Sequence, residues 1–375
     1  MTSFESICSI PTCPSSTFSA LYEDDNISTQ SLCDTAYGTI ARYSQDLCAA
    51  GAGHRYRLDE LLSGMLMHAP HPLGKRYVAV SLYIASQKGG DAVVDIARSW
   101  MENLFLPMLI ISKETKGLRY PGYDPFTGEA ERPEDPELEE LRKKVALRER
   151  YLCAITQTFD LDCAAKLLEA GKGDKIPADI TRRRMNASYI ISDIFLKLIS
   201  NKDETEATAH QQDRRARFPC ILEMFQSWTQ LDMNDLKLKI HTPFNVIYMT
   251  LDENLSFRNF RFYFDGDSTT PHKYKARMVR NSNGFSTGPN TLEVNFRSFD
   301  DSDYLMESIQ RHDNIDPPDP SLLAVHAAFT KVMNGCGLMF YVRRIQEELE
   351  NLELQHEGTD GDLLSTLLRK LDIGV

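Results

Sequence analysis

The sequence lacks every feature that would place the protein in or across a membrane. No apolar run approaches the roughly 20 residues of a membrane-spanning helix, and no basic segment followed by an apolar run suggests a signal peptide. The eight cysteines of the 375-residue chain are scattered and include no CxxC pair. Neither a zinc ribbon nor a disulfide framework is therefore expected. These absences predict an intracellular, cytoplasmic protein with reduced thiols.

The sequence also lacks the motifs of nucleotide-using enzymes. It contains no P-loop, no dinucleotide-binding glycine fingerprint, no nucleophile elbow and no kinase motifs, so no nucleotide cofactor is expected. Positive charge is scarce, because 42 Lys and Arg stand against 54 Asp and Glu and the net charge is -12. Phosphate binding depends on clustered basic side chains, so we expect no nucleic-acid partner. The densest basic run, 182–184, is expected to be a solvated loop.

What the sequence does contain is the composition of a globular protein, with 42% hydrophobic and 26% charged residues. Its length suits one large domain or two ordinary ones, with a substantial core. We divide it into an irregular, Ser- and Thr-rich segment (1–54), a helical module with its linker (55–134), and a core with C-terminal helices (135–375). The expected fold class is α+β.

Apolar periodicity predicts the helices of the module. Leucines and methionines recur at helical spacing from Tyr56 onward, until a Pro-rich stretch at 69–72 ends the first helix. Two further helices are predicted, one over 73–86 and one after Gly89. A Gly- and Pro-rich linker follows over 113–134.

The rest of the chain mixes helices with strands. Asp135 followed by Pro136, and Asp319 followed by Pro320, have the signature of a helix N-terminus. The helix that begins at Asp319 is predicted to break within 335–337. Apolar or alternating runs predict strands over 151–156, 185–192, 260–264, 272–280 and 291–299. Other helices are predicted over 217–231, 342–352 and 362–371. A mobile polar insertion is predicted over 201–214.

Two segments carry the most specific signal in the chain. They are Asn186-Ala-Ser-Tyr-Ile-Ile-Ser192 and His241-Thr-Pro-Phe-Asn-Val-Ile-Tyr-Met-Thr-Leu251. Together they resemble the two halves of an HNH nuclease site. In such ββα-metal nucleases a histidine activates water, an asparagine holds it, and a second histidine or a carboxylate binds the metal. Asn245 stands at the asparagine position.

Other segments resemble the same family, in the correct order. They are similar to the helical leader, first strand and closing helix of the HNH-nuclease-like family that is common in filamentous fungi. These segments are Leu104-Phe-Leu-Pro-Met108, Arg148-Glu-Arg-Tyr-Leu-Cys-Ala-Ile-Thr156 and Asp319-Pro-Ser-Leu-Leu-Ala-Val-His-Ala-Ala328. The resemblance implies a helical N-terminal module and a degenerate HNH (ββα-metal-like) core with added helices and strands.

The residues that perform the family's chemistry are replaced. Tyr189 stands where the family has a histidine before the Ile-Ile pair, and residues 252–257 contain no histidine. A tyrosine with an ordinary pKa of about 10 is a poor base at neutral pH. Asp252 or Glu253 could bind a hard cation, but one such ligand beside Asn245 does not make a metal centre. The resemblance therefore implies a nuclease-inactive protein without a metal or other cofactor.

The candidate catalytic residues are Tyr189, Asn245 and His241. Each has a plainer interpretation, since Tyr189 suits a core aromatic, Asn245 a turn residue and His241 a solvated loop histidine. The candidates for contacts with a substrate are Ser188, Tyr248 and Arg184.

Three functions remain open. In the first, loss of the histidines leaves a neutral, aromatic-lined pocket for a small apolar molecule. The protein would then be a cofactor-independent cyclase or isomerase of specialised metabolism, which holds its substrate in a reactive conformation. In the second, it is a non-catalytic module that binds protein or nucleic acid. In the third, it is a divergent HNH endonuclease. The acidic charge favours the first, and the sequence does not set the oligomeric state.

Overall fold

The computed structural model describes residues 15–52, 56–114, 118–119, 136–192, 221–267, 269–279, 285, 289–296 and 315–344. These residues form a mixed α+β fold, as expected from the sequence. The chain divides into two compact units that alternate along it. The helical unit comprises Met1–Ile110, Lys197–Asp232 and Ala328–Val375, and the mixed unit comprises Ile111–Leu196 and Met233–Ala327.

The helices and strands of the described residues follow one another in an irregular alternation. The helices are α1 (Ser15–Glu23), α2 (Thr29–Arg42), α3 (Ser44–Ala52), α4 (Leu58–Met67), α5 (Pro72–Lys88), α6 (Gly90–Trp100), α7 (Leu106–Glu114), α8 (Pro136–Arg148), α9 (Leu161–Glu169), α10 (221–229), α11 (Met233–Lys239), α12 (Leu251–Arg258), α13 (Pro320–Gly335) and α14 (Leu338–Arg344). A π-helical turn, Met101–Phe105, joins α6 to α7. The strands are β1 (Leu118–Arg119), β2 (Phe159–Asp160), β3 (Arg182–Arg183), β4 (Met185–Tyr189), β5 (Val246–Thr250), β6 (Phe262–Gly266), β7 (Lys273–Met278) and β8 (Thr291–Asn295).

The division of the chain differs from the one expected from its sequence. The first boundary, after Ile110, lies close to the linker predicted over 113–134, but the chain later returns to the helical unit twice. The described part of the segment 1–54 forms α1, α2 and α3, so it is helical rather than irregular. Helix α2 packs along α5. These helices are stabilised by contacts that are distant in the sequence, and weak local periodicity therefore did not reveal them.

Capping residues begin and end the helices that the sequence predicted. His71 Nδ1 accepts a hydrogen bond from Leu73 N (3.1 Å), and Pro72 occupies the first turn of α5. Gly89, with φ of +114°, ends that helix in a conformation that other residues rarely adopt. Asp319 Oδ1 accepts from Ser321 N (2.8 Å) at the start of α13. Local chemistry thus sets these boundaries.

An aromatic cluster fills the core of the helical unit. Phe329 packs edge-on against Trp228, with ring centroids 5.1 Å apart, and Phe105 lies 5.4 Å from Trp228. Close packing here demands a glycine, because a Cβ on Gly74 would lie 1.8 Å from the Trp228 carbonyl oxygen. Phe225 and Trp228 of α10, which lies within the helix predicted over 217–231, are fully buried.

A buried arginine ties the first helix to α5. Arg76 is 6% exposed, and its guanidinium donates to four backbone carbonyls at and beyond the end of α1. Their donor–acceptor distances are 2.6–2.9 Å, and the acceptors belong to Leu21, Tyr22, Asp24 and Ile27. Carbonyls at a helix C-terminus have no partner within the helix, so Arg76 satisfies them in place of water.

The described strands of the mixed unit form three small sheets. Strand β4 lies between β1 and β5 and is antiparallel to both, and β2 pairs with β3 in parallel. Strands β6, β7 and β8 form an antiparallel meander. Beside the meander, His326 of α13 stacks on Phe257 with ring centroids 3.7 Å apart, in a core that excludes water. The strands predicted over 185–192, 272–280 and 291–299 are confirmed with shorter bounds, and the strand predicted over 260–264 is confirmed with a shift of two residues.

The strand predicted over 151–156 is a turn. Arg150 and Tyr151 both adopt left-handed backbone angles (φ of 57° and 58°), as does Gln157 (φ of 57°). These angles reverse the chain after α8, and pairing begins only with the isolated bridge between Leu152 and Phe159. An apolar run was mistaken for a strand, because non-glycine residues in this conformation have no local sequence signature.

The C-terminal part of the fold agrees with expectation where it is described. Helix α13 ends at Gly335, a turn follows, and α14 begins at Leu338, so the predicted break is confirmed. The predictions over 201–214 and 362–371, and residues 345–352 of the helix predicted over 342–352, lie outside the described residues. No single helix of the described ranges has the length and hydropathy needed to cross a membrane. The bent pair formed by α13 and α14 meets those two criteria by length and composition only.

Candidate functional site

A strand pair followed by a helix forms the centre of the mixed unit. Strands β4 and β5 are antiparallel, with Tyr189 opposite Val246, and every residue of both strands is buried. Thr250 ends β5 and caps α12, since its Oγ1 accepts a hydrogen bond from Glu253 N (3.3 Å). Helix α12 packs on both strands. The order is therefore strand, strand, helix.

Asn245 joins the two strands where β4 ends and β5 begins. Its side chain is fully buried, and Oδ1 accepts a hydrogen bond from Ile191 N (2.9 Å). Nδ2 donates to Ile191 O (2.8 Å) and to Ile240 O (3.1 Å). All three bonds go to the backbone, so Asn245 positions the strands and the preceding turn instead of facing a substrate. It ends the short helical turn Pro243–Asn245, in agreement with its interpretation as a turn residue.

A buried ion pair holds the same turn from the other side. Arg148 lies at the end of α8 with its side chain 0% exposed, and its Nε donates to Glu149 (2.9 Å). Its terminal nitrogens donate to Pro243 O (2.7 Å), Val246 O (2.7 Å) and Asp316 O (3.2 Å). Burial raises the pKa of Glu149, and Arg148 opposes that shift. The carbonyls on both sides of Asn245 thus have a permanent cationic donor.

Tyr189 and His241 form a hydrogen-bonded pair at the surface end of this arrangement. The Tyr189 hydroxyl lies 2.9 Å from His241 Nδ1, and the two rings meet edge to face with centroids 5.8 Å apart. Tyr189 is 5% exposed, whereas His241 is exposed. When the hydroxyl donates to Nδ1, the proton of the neutral imidazole resides on Nε2. The contact therefore couples the tautomer of an accessible histidine to a buried tyrosine hydroxyl.

A groove of about 420 Å³ lies beside this pair. One wall consists of His241, Thr242 and Pro243, and the other includes three charged side chains of α8. These are Glu137, Glu140 and Lys144. The groove is thus charged, whereas the sequence suggested a neutral, aromatic-lined pocket. Of the four residues expected to bound the pocket, His241 lines the groove, whereas Tyr189, Asn245 and Tyr248 do not.

Tyr248 belongs to a separate buried network. Its side chain is fully buried, and its hydroxyl donates to the Asp160 carboxylate. Burial raises the pKa of Asp160, and burial together with Asp160 raises that of Tyr248 well above its ordinary value. Asp160 also caps α9 by accepting from Asp162 N (2.9 Å). This network joins β5 to α9 and is structural.

The opposite face of β4 carries buried oxygens. Alternation along a strand places Asn186 and Ser188 on the face away from Tyr189. The Asn186 Oδ1 and Ser188 Oγ atoms have no hydrogen-bond partner among the described residues. Asn254 Oδ1, on the buried side of α12, also has no hydrogen-bond partner among the described residues. Buried polar atoms of this kind are rare in proteins.

These oxygens suit an internal water better than a catalytic metal. Mg²⁺ in enzymes is usually held by one or two carboxylates, whereas serine and asparagine oxygens are neutral. In the part of the chain that the structure describes, no group of three or more His, Cys, Asp or Glu side chains is placed to hold a metal ion. The described residues therefore do not fit the catalytic metal that HNH nucleases bind.

Of the six residues expected at the site, the structure brings Tyr189 and His241 into direct contact. Arg184 is exposed between β3 and β4. Sequence reasoning missed Arg148 and Asp160 as members of the buried networks. Arg148 could have been suspected because it follows the apolar positions of an amphipathic helix. Asp160 precedes an apolar helix in the manner of an N-cap.

No known family model, curated protein or solved structure matches the chain. Inference about its function therefore starts from the geometry of the mixed unit.

Proposed function

We propose that the mixed unit is a degenerate ββα scaffold, similar to that of HNH nucleases, which acts on a small molecule without a metal or nucleotide cofactor. The reaction class is that of a cofactor-independent cyclase or isomerase, and the pair formed by Tyr189 and His241 carries it. The observation behind the proposal is the 2.9 Å contact between the Tyr189 hydroxyl and His241 Nδ1 at the edge of the groove.

The scaffold part of the proposal is supported by the arrangement of β4, β5 and α12. Asn245, at the position of the family's asparagine, joins the two strands through three hydrogen bonds to the backbone. Tyr189 stands at the position of the family's water-activating histidine. A neutral phenol does not activate water efficiently, so we propose that phosphodiester cleavage is lost. We also propose a cytoplasmic location. We propose no nucleic-acid partner, because the net charge is -12.

The chemistry follows from the tautomer of His241. With Nδ1 occupied by the Tyr189 hydroxyl, Nε2–H is a hydrogen-bond donor to the groove. A donor aimed at a carbonyl oxygen stabilises the negative charge that develops there when the substrate enolises or is attacked by an internal nucleophile. We therefore propose a carbonyl compound as substrate. The charged wall of α8 indicates that it carries polar groups, in contrast to the apolar molecule suggested by the sequence alone.

The tautomer can be tested before any substrate is known. Long-range ¹H–¹⁵N correlation spectra should show His241 as the Nε2–H form in the wild-type protein and as a mixture of forms in Tyr189→Phe. Tyr37→Phe, which removes a half-buried hydroxyl in the helical unit, is the matched control and should leave His241 unchanged. A fixed Nδ1–H form in the wild type contradicts the proposed donor.

Substrate capture is tested with 2-cyclohexenone as a carbonyl probe. We expect the His241 ring signals to shift on titration with the probe, and the shift to weaken in Tyr189→Phe, while the melting temperature stays within a few degrees of the wild type. If every loss of probe binding tracks a loss of thermal stability, Tyr189 is only a structural residue. The alternative is a non-catalytic binding module, and the open, charged groove is compatible with it. This alternative predicts that the probe binds but that no cyclisable carbonyl compound is converted.

Nuclease activity is a separate test. Incubation of plasmid DNA with the protein and Mg²⁺ or Mn²⁺ should give no nicking. Robust nicking that is lost in Asn245→Ala would establish the divergent endonuclease instead.

A further inference from the structure

The α8 wall of the groove beside His241 presents charged side chains along one face of the helix. Glu137, Glu140, Leu141 and Lys144 line the groove, and their spacing of three and four residues places them side by side. Leu141 is buried, whereas Glu140 and Lys144 are half-buried. The two charged groups are thus partly shielded from water, and they face a space that is open to a small molecule.

Glu140 and Lys144 are not matched to each other. One residue earlier on the helix, Glu139 accepts a hydrogen bond from Arg142 Nε (3.0 Å) and lies 3.9 Å from Lys143 Nζ. A glutamate four residues before a lysine commonly forms such a pair. Glu140 and Lys144 have this spacing, yet neither has an ion-pair or hydrogen-bond partner among the described residues. The groove therefore offers an unpaired carboxylate and an unpaired ammonium group.

Glu137 has a structural explanation that does not extend to this pair. It lies in the first turn of α8, where the partial positive charge of a helix N-terminus stabilises a carboxylate. Its side chain is exposed. Glu140 and Lys144 lie beyond the first turn, so the helix terminus does not account for them.

A buried contact fixes the two walls of the groove relative to each other. Arg148, at the end of α8, donates a hydrogen bond to Pro243 O (2.7 Å), and Pro243 lines the wall that contains His241. Both walls belong to the mixed unit. The charged pair and the imidazole therefore keep a set arrangement, and a preorganised site loses less entropy when it binds a ligand.

We propose that the groove selects a zwitterionic carbonyl compound. Its ammonium group binds Glu140, its carboxylate binds Lys144, and its ketone or aldehyde oxygen accepts a hydrogen bond from His241. This inference rests on the proposed function, since it uses the same groove and the same donor. Hydrogen bonds between ionised groups are stronger than neutral ones, and a ligand with a single charge leaves either Glu140 or Lys144 unmatched. Residues four apart on a helix have Cβ atoms about 5–6 Å apart, which suits a compact molecule of amino-acid size.

The probe is 5-aminolevulinate, which has a ketone between its ammonium and carboxylate groups. Levulinate lacks the ammonium group, and the methyl ester of 5-aminolevulinate lacks the carboxylate. In titrations of the full-length protein near neutral pH, followed by the amide signal of Thr242, we expect 5-aminolevulinate to bind about tenfold more tightly than either analogue. Equal binding of either analogue, or no shift with 5-aminolevulinate, overturns the inference.

Two substitutions test the charged groups separately. Glu140→Gln should weaken binding of 5-aminolevulinate about tenfold without weakening that of levulinate. Lys144→Met should weaken binding of 5-aminolevulinate to the same extent without weakening that of its methyl ester. Neither side chain has a partner in the described structure, so both variants should keep the melting temperature of the wild type. Unchanged binding of 5-aminolevulinate by both variants contradicts the inference.

Matched controls come from exposed residues of the same unit that do not line the groove. Lys143→Met removes an ammonium group from α8, and Glu169→Gln removes a carboxylate from α9. Both control variants should bind 5-aminolevulinate as the wild type does. A loss of binding in these variants equal to that in Lys144→Met and Glu140→Gln would show that only the overall charge matters, and it would overturn the inference.

A fourth compound separates this inference from the proposed function. In 5-aminovalerate a methylene group replaces the ketone of 5-aminolevulinate, so the compound keeps both charges and lacks the acceptor for His241. Equal binding of the two compounds supports recognition of a zwitterion and contradicts the proposed donor. Binding of 2-cyclohexenone without binding of 5-aminolevulinate has the opposite meaning, since the donor then stands and the zwitterionic substrate is excluded.

Discussion

The two units of the protein differ in how much conformational strain they contain. Among the described non-glycine residues, the helical unit has one with a left-handed backbone, Gln230. The mixed unit has six, which are Arg150, Tyr151, Gln157, Asp179, Phe260 and His272. Such conformations cost free energy and persist where the surrounding structure enforces them. Among the described residues, backbone strain is thus concentrated in the mixed unit.

Buried polar groups are divided between the units in the same way. Within the described ranges, the helical unit buries Trp100 Nε1 without a hydrogen bond, whereas the mixed unit does so with the Asn186, Ser188 and Asn254 oxygens and with His272 Nδ1. Burying a polar atom without a partner is unfavourable. Departures from local consistency of this kind are expected at functional sites. Among the described residues, the unpaired buried polar atoms are thus concentrated in the mixed unit.

The largest expected effect concerns the two buried arginines. Arg148→Met removes the cation that faces Glu149 and three carbonyl contacts, and it leaves a nearly buried carboxylate unpaired. We expect the free energy of unfolding to fall by about 3–5 kcal/mol. In the described structure, the acceptors of Arg76 include no carboxylate, so Arg76→Met leaves no buried charge unpaired. We expect this substitution in the helical unit to lower the free energy of unfolding by about 1–3 kcal/mol. Urea unfolding of both variants measures the difference.

Hydrogen exchange locates each effect within the molecule. Loss of Arg148 should accelerate exchange in β4 and β5, and loss of Arg76 should accelerate exchange in α1. Equal destabilisation by the two substitutions would contradict the predicted difference between the two arginines. It would mean that the ion pair with Glu149 adds no stability beyond that of the carbonyl contacts.

Acid should destabilise the mixed unit through His326. Burial lowers the pKa of His326 to about 3, and its Nε2 lies 3.1 Å from Phe257 O. The unfolded state therefore binds a proton below pH of about 6.5, while the folded state does not. The contribution to stability is present above that pH and is lost as the pH falls, by about 1.4 kcal/mol per unit.

His326→Leu provides the control for this prediction. For the wild type, protonation of His326 in the unfolded state should lower the free energy of unfolding by about 2 kcal/mol between pH 8 and pH 5. The variant should not show this decrease. The pKa values of Asp160 and Glu149 are raised, so their contributions have the opposite sign, and they cancel in the difference between the two proteins. Parallel pH profiles for the two proteins would contradict the buried, neutral state of His326.

The smallest effect compares two serines. Ser188 Oγ is buried in the mixed unit without a hydrogen-bond partner in the described structure, so Ser188→Ala should be neutral or slightly stabilising. Ser28 in the helical unit caps α2 by accepting from Ser31 N (3.1 Å), so Ser28→Ala should cost about 1 kcal/mol. Thermal melts of the two variants suffice. Marked destabilisation by Ser188→Ala would indicate that an internal water binds that oxygen.

The sequence predicted those features that depend on neighbouring residues. The starts of α8 at Pro136 and of α13 at Pro320, the helices α4, α5 and α6, and the strand β4 all follow from local capping or periodicity. The proximity of Tyr189 to His241 also emerged, because both lie in the two segments that resemble one site. The role of Asn245 in a turn was one of its two interpretations.

Features that depend on distant residues were not predictable. The partner of Tyr248 is Asp160, and the acceptors of Arg76 lie in α1 and the following loop. No local sequence pattern predicts hydrogen bonds between residues that are distant in the sequence, because these bonds form only when the chain is folded. The left-handed pair of Arg150 and Tyr151 likewise depends on its surroundings, and it changed a predicted strand into a turn.

The alternation of the two units along the chain restricts how the protein can fold during its synthesis. The aromatic core that begins at Phe105 needs Trp228 and Phe329, which leave the ribosome much later. Strand β4 must likewise wait for β5. Neither unit can close before most of the polypeptide has emerged, so the nascent chain exposes apolar surface for most of translation. Such chains are prone to aggregate and depend on chaperones, and a truncated product of this gene should be rapidly degraded.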